Sequence, residues 1–201
     1  FTHNDTDGIT AGLLINEFLK NRKSKINYLK ILSHEKNLWK SILMQSKKTS
    51  LTKIFILDLS VDKEQEKDFL KLMENKKVFF IDHHPPTKGM NKIKNIVRSD
   101  SQTGVGFLLF RIGTQNKLLD FEKWKLIGIA AGIADYSFKD SQNLRYMKKI
   151  YPKIKNIRNE SKNSNSNVYI KNIVDMEEET EYIDYNKYFP EFMELGNRRF
   201  M

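Results

Sequence analysis

The chain has 201 residues, of which 39% are apolar and 30% charged, with zero Cys and 35 Lys+Arg against 25 Asp+Glu for a formal net charge of +10. That length suits one ordinary domain with or without an appended piece, and the apolar residues, clustered in short runs, can supply a core, which excludes a wholly disordered chain. The absence of Cys excludes disulfides, thiolate zinc sites and cysteine nucleophiles and fits a cytoplasmic setting, while no run approaches the roughly 18 apolar residues of a membrane span and Phe1-Thr2-His3 opens no secretory leader.

In chain order, His3-Asn4-Asp5-Thr6-Asp7-Gly8 comes first, setting three potential ligands on alternate positions ahead of a helix. In an extended loop this alternation throws His3, Asp5 and Asp7 toward one side, and Gly8 permits a sharp turn into the helix. Only Phe1 and Thr2 precede His3, so a first strand is expected to be missing. Leu14/Phe18 and Ile15/Leu19 then repeat at helical i,i+4 spacing. A strand is expected over residues 26–32, followed by a helix marked by Leu38/Ile42 and Trp39/Leu43. The apolar strand 54–57 ends on Asp58, Phe69/Met73 mark another helix, and the apolar strand 78–81 ends on Asp82-His83-His84. A strand over 93–97 and a helix carrying Val105/Leu109 and Leu108/Ile112 follow. Residues 128–138 (GIAAGIADYSF) combine a helix of small residues, suited to tight packing, with Asp135 at its end.

Strands 54–57 and 78–81 are apolar throughout, as expected when helices cover both faces of a sheet. Alternation of strand and helix makes the class α/β, with a mainly parallel sheet and helices on both faces. Residues 156–167 (NIRNESKNSNSN) read as a linker or mobile loop and 168–201 as an acidic, aromatic segment.

Ligands of open α/β sheets gather at the carboxyl ends of strands, so Asp58 and Asp82-His83-His84 should converge with the His3–Asp7 loop. Two adjacent imidazoles beside a carboxylate are costly to bury without partners or a metal. With Asp135 added, His3, Asp5, Asp7, Asp58, His83 and Asp135 suffice for two divalent ions if one carboxylate bridges. His34, the remaining histidine, is read as a surface or supporting residue. A calcium loop counted from His3 fails, because its twelfth position is Leu14 rather than Glu. Asp5-Thr6-Asp7-Gly8 also resembles the nucleophile motif of haloacid dehalogenase phosphatases, but no apolar strand runs into Asp5 and no later Asp-Asp pair occurs.

Together, His3-Asn4-Asp5-Thr6-Asp7-Gly8, Asp58, Asp82-His83-His84 and Gly132-Ile133-Ala134-Asp135 resemble the four ordered motifs of the DHH phosphoesterases, over about residues 2–140. That family includes RecJ-like single-strand exonucleases, oligoribonucleases and nucleotide phosphatases, cyclic dinucleotide phosphodiesterases and family II pyrophosphatases. The resemblance implies a catalytic domain over 1–155 and a pair of Mn²⁺ or Mg²⁺ ions that activate water. His3 and Asp5 would hold one ion, Asp7, His83 and Asp135 the other, and Asp58 would bridge. His84 would face the scissile phosphate and Asp82 would orient the His pair. Ser101, Thr103 and Gly104 lie where relatives have a Ser/Thr-rich helix start, which could contact phosphate. No Gly-rich GGGH-like segment of the usual DHH-associated domain follows, and that domain is expected to be lacking.

Charge bears on the substrate. Residues 1–174 hold 32 basic and 17 acidic side chains, and 175–201 hold three basic and eight acidic ones. A basic body favours a polyanion, namely single-stranded DNA or RNA or short oligonucleotides, with candidate contacts around Arg22, Lys23 and Lys25 and around Lys148, Lys149 and Lys153. Tyr136 and Phe138 could stack bases, although each reads first as core. The expected activity is therefore a RecJ-like exonuclease. Its alternatives are a small-nucleotide phosphatase or phosphodiesterase, or a non-catalytic replication or repair subunit that docks another protein through the acidic, aromatic segment.

Overall fold

The computed structural model describes residues 1–48, 51, 53–75, 77–99 and 102–150. The linker expected at 156–167, the segment 168–201, Ser101 and Lys153 lie outside the described residues. In chain order the elements are β1 (Thr2–His3), α1 (Thr6–Asn21), β2 (Ile31–Leu32), α2 (Leu38–Lys48), β3 (Lys53–Leu57), α3 (Glu66–Asn75), β4 (Lys77–Asp82), β5 (Ile96–Arg98), α4 (Val105–Gln115), α5 (Phe121–Ala134) and α6 (Ser141–Ile150). Short 3₁₀ turns occupy Lys88–Lys92 and Ser137–Lys139.

All five strands are parallel, in the order β2-β1-β3-β4-β5. The chain leaves β1 toward β2 and returns to β3 on the other side, so the order reverses between β1 and β3. In doubly wound sheets a crevice opens at such a switch point, outside the carboxyl ends of the strands. Here those ends are His3 and Leu57, with Asp58 next in the chain.

The apolar strands are covered on both faces as their sequences predict. Along β3 and β4, Ile54, Ile56, Val78 and Phe80 join α2 and α3 in one core, while Leu57 and Ile81 join α1, α4, α5 and α6 in the other. The first core centres on three aromatic rings: Trp39 lies 4.8 Å from Phe69 and 5.7 Å from Phe80, and Phe69 lies 5.1 Å from Phe80. In the second, the small residues of α5 admit close neighbours. A Cβ at Gly128 would meet the Phe110 ring at 2.2 Å, and one at Gly132 would meet Met147 at 2.3 Å.

Three expectations are corrected. The first strand is present as the two-residue β1, paired with both β2 and β3. The strand expected over 26–32 is confined to Ile31–Leu32, because β1 offers ladder partners only at Thr2 and His3. Residues 26–29 instead line a cavity of about 360 Å³ with Phe1, Lys53 and Phe55. The strand expected over 93–97 starts later, at Ile96, where it pairs with Phe80.

Phe80 is fully buried at the meeting of the three rings. Phe80→Ala is expected to cost about 3–5 kcal/mol, read as a lower midpoint in urea denaturation with the slope preserved.

Candidate metal centre

The backbone brings the predicted groups to one edge. His3 ends β1, Asp5 caps α1 by accepting from the Gly8 N–H at 2.8 Å, and Asp7 lies in the first turn of that helix. Gly8 is required by proximity rather than by an unusual backbone angle, since a Cβ there would sit 2.7 Å from the Cβ and carbonyl oxygen of His3. Asp58 follows β3 with a left-handed backbone (φ 56°), and its N–H donates to the Ile81 carbonyl at 2.9 Å. Asp82 ends β4, placing His83 and His84 beyond it, and Asp135 caps the C-terminus of α5.

Of the three residues expected to share one side, His3 and Asp5 meet one set of partners and Asp7 another. His3 Nδ1 lies 2.6 Å from Asp5 Oδ2 and 3.8 Å from Asp58 Oδ2. Asp7, in the first turn of α1, accepts from the N–H groups of Val105 at 2.7 Å and Gly106 at 2.9 Å at the start of α4 and groups with His83 and Asp135. His83 spans the gap, with Nε2 3.4 Å from Asp58 Oδ1 and Nδ1 3.3 Å from Asp135 Oδ2. Three sets of potential ligand atoms result, each within 4.8 Å: His3 with Asp5 and Asp58, Asp7 with His83 and Asp135, and Asp58 with His83 and His84. Asp58 belongs to two of them.

Asp82 holds His84 specifically. Its Oδ1 is 2.7 Å from His84 Nδ1, and its Oδ2 accepts the His84 N–H at 3.1 Å. The Arg98 guanidinium donates to the His84 carbonyl. At the expected phosphate-contacting helix start, the polar groups are already occupied within the protein. Thr103 is buried and its hydroxyl accepts from Asn143 Nδ2 at 2.8 Å, while the Gly104 N–H donates to Ser137 Oγ at 2.9 Å. A Cβ at Gly104 would meet Asp7 Oδ1 at 2.7 Å and Asp135 at 2.9 Å. These residues therefore support the two carboxylates from behind.

His34, read as a surface or supporting residue, is exposed and stands beside two of the site histidines. Its ring lies 4.5 Å from that of His3 and 6.0 Å from that of His84. The available signal was the end of the strand at Leu32, which puts the following loop at the carboxyl edge. Tyr136 and Phe138 also part company, Phe138 in the core and Tyr136 47% exposed beside Asp135.

Crowding of charge governs the protonation of these groups. Burial, then the neighbouring Asp58 and Asp135, hold Asp7 well above the ordinary carboxylate range. Burial likewise raises Asp58 against the pull of His83, and pushes Asp135 up to about 6. For His83, burial alone would depress the imidazole, but the Asp58 contact and the charges of Asp135, Asp58 and Asp7 raise it to about 9. Asp5 is pushed up by burial yet ends below its ordinary value through His3 and the Gly8 N–H, and the same contact with Asp5 raises His3. Asp58 Oδ2, His83 Nδ1 and Asp135 Oδ2 are buried without a hydrogen-bond partner. Such orphans at the meeting point of carboxylates and imidazoles fit a divalent cation, which would supply the missing partner.

The raised values of His83 and Asp135 make the native metal-free chain bind more protons than the unfolded one. Their stabilising contribution is complete below the unfolded values, 3.8 for Asp135 and 6.5 for His83, and is lost as pH rises through about 6 and then about 9. The Tm of EDTA-treated protein should fall between pH 6 and 9, and added Mn²⁺ should raise it more at pH 8.5 than at pH 6. A Tm that climbs over this range would contradict the assignment.

Comparison with curated proteins finds no match. Residues 1–135 match the family described as DHH family, N-terminal domain. The match covers more than half of the chain and runs from β1 through Asp135. With its carboxylates and imidazoles gathered at the switch point of a parallel sheet, the chain belongs to the DHH family, whose members are metal-dependent phosphoesterases.

Proposed function

We propose that the chain is a divalent-metal-dependent phosphodiesterase that hydrolyses single-stranded nucleic acid or short oligonucleotides, in the manner of a RecJ-like exonuclease, with two Mn²⁺ or Mg²⁺ ions. The observation that carries this reading is the pair of ligand sets sharing Asp58. In this reading His3 and Asp5 would hold one ion and Asp7, His83 and Asp135 the other, with Asp58, which groups with His3 and Asp5 and separately with His83 and His84, standing between them. When bound, such ions polarise phosphoryl oxygens and lower the pKa of water, supplying a nucleophile at neutral pH.

The chain's own residues supply position. Asp82 fixes the ring of His84 through Nδ1, leaving Nε2 to meet a phosphoryl oxygen. The N–H groups at the start of α4 hold Asp7 in place against its neighbours. No side chain is asked to form a covalent intermediate.

Substrate class rests on what borders the centre. Tyr136 is exposed directly after Asp135, with Lys139 Nζ 4.4 Å from its ring centroid, which suits a base stacked beside a backbone phosphate. Arg22, Lys23 and Lys25 stand at the far end of α1, ~24 Å of helix rise from the centre. They would act on a substrate through their field rather than at the scissile bond.

A hydrolysis panel with Mn²⁺ should include single-stranded DNA, single-stranded RNA, dinucleotides, 3′-phosphoadenosine 5′-phosphate and pyrophosphate. Cleavage of a single-stranded nucleic acid or dinucleotide is expected, with Asp58→Ala reduced more than about 100-fold and His84→Ala about 100-fold. Full activity in Asp58→Ala would refute the metal assignment, and hydrolysis of pyrophosphate alone would refute the substrate class. Tyr136→Ala should raise KM for a dinucleotide about tenfold while leaving pyrophosphate hydrolysis unchanged; equal effects on both would argue against stacking.

A further inference from the structure

The loop after β2 is exposed, yet three consecutive residues in it are each tied to a different element. Ser33 Oγ accepts from Asn4 Nδ2 at 3.0 Å, which joins the loop to the residues between His3 and Asp5. His34 Nδ1 lies 3.4 Å from Ser60 Oγ, two residues beyond Asp58. The Glu35 carbonyl accepts from Gln65 Nε2 at 3.2 Å and from the Leu38 N–H at 3.0 Å. Trp39 braces the same assembly from the core, its indole N–H donating to the Ser60 carbonyl at 2.9 Å and its backbone N–H to Gln65 Oε1 at 3.2 Å.

This bracing fixes a histidine at the rim of the centre. The His34 ring lies 4.5 Å from His3 and meets His84 edge-on, at 85° and 6.0 Å. His34 nevertheless belongs to none of the three ligand sets. In the tautomer in which the Ser60 hydroxyl donates to Nδ1, the ring proton stands on Nε2 and that atom is a hydrogen-bond donor. A ring with this tautomer, held beside His84 but outside the ligand sets, is equipped to meet the anion that a metal centre would attract.

Resting on the metal-centre reading above, we propose that His34 is a substrate-contacting residue that donates from Nε2 to a nonbridging oxygen of the bound phosphoryl group, alongside His84. The phosphoryl group would then be held by imidazoles from the ends of two different strands. Ser60 and the Asn4–Ser33 bond act as positioning groups for that contact.

The test uses the 201-residue chain, with calorimetric titration of Mn²⁺ followed by titration of inorganic phosphate into the Mn²⁺-loaded protein. His34→Ala is expected to keep the Mn²⁺ affinity within twofold and to weaken phosphate about tenfold. His34→Gln, which keeps an N–H donor at similar reach, should recover part of the loss. Unchanged phosphate affinity in His34→Ala, or no phosphate binding by Mn²⁺-loaded wild type, overturns the proposal. A parallel fall in Mn²⁺ affinity also overturns it, by making His34 a ligand. Wild type that takes up no Mn²⁺ at all is a distinct result: it removes the metal-centre reading and this inference with it.

Discussion

The demanding feature of this molecule is the burial of like charges at the sheet's switch point. Asp7 and Asp58 are 2% and 1% exposed, and Asp135 lies with Asp7 across the same imidazole. Burying even one unpaired carboxylate costs several kcal/mol, and each of these raises the proton affinity of another. The fold meets this with devices that are local to each group. Asp7 takes two N–H donors at a helix start, where the helix dipole favours negative charge. His83 stands between Asp58 and Asp135 and carries its proton to about pH 9. Asp58 Oδ2, His83 Nδ1 and Asp135 Oδ2 are left buried without a hydrogen bond, although His83 Nδ1 and Asp135 Oδ2 lie 3.3 Å apart, and a cation would satisfy the carboxylate oxygens. The aromatic cores on the two faces supply the stability that such a centre withdraws.

Backbone angles single out the same place. Among the described residues, four non-glycine residues have positive φ: Lys23, Asp58, Lys117 and Tyr136. Lys23, Lys117 and Tyr136 each follow the residue that caps a helix C-terminus, where a left-handed residue commonly closes the last turn. Asp58 follows a strand and has no such reason. Asp is among the residues that tolerate this conformation best, and it puts a carboxylate within reach of both His3 and His83. Strain of this kind persists where surrounding structure over-determines it, and it gathers at functional sites. The Asp58 N–H bond to Ile81 and the parallel ladder of β3 with β4 provide that fixation.

The sequence revealed this arrangement unevenly, for physical reasons. Strands 54–57 and 78–81 were legible because burial on both faces demands continuous apolar residues, and their ends located Asp58 and the His pair. His3 and Asp5 group with Asp58, as the family resemblance implied, whereas Asp58 groups on its other side with His83 and His84 rather than with Asp7 and Asp135. The edge strands were poorly legible, since β2 and β5 are two and three residues long and their extent depends on the neighbours they pair with. The anchoring of Asp7 could not be read locally, because its partners are α4 amides 98 and 99 positions away. How close His34 comes to the centre was not legible for a similar reason: a lone histidine in a polar loop carries no periodic signal, and its neighbours arrive from β1 and β4.

Charge is where the gap between composition and site is widest. A surplus of basic side chains over residues 1–174 suggests contact with a polyanion, yet the Arg22–Lys25 cluster stands at the opposite end of the sheet from the carboxylates. Fields from exposed charges fade over about 8–10 Å at ordinary ionic strength, so cations that far away can gather a polyanion but cannot distinguish one phosphate from the next. Discrimination must come from groups at the carboxyl edge, and these are few: the His84 ring fixed by Asp82, the Arg98 guanidinium on the His84 carbonyl, His34 on its braced loop, and exposed Tyr136 with Lys139 over its ring. For the proposed nucleic-acid substrate, such a division of labour would separate capture from chemistry. Substitutions in the distant cations would change how binding responds to salt, whereas substitutions at the rim would change which phosphoryl group is accepted, because only the rim lies within hydrogen-bonding reach of the reacting centre.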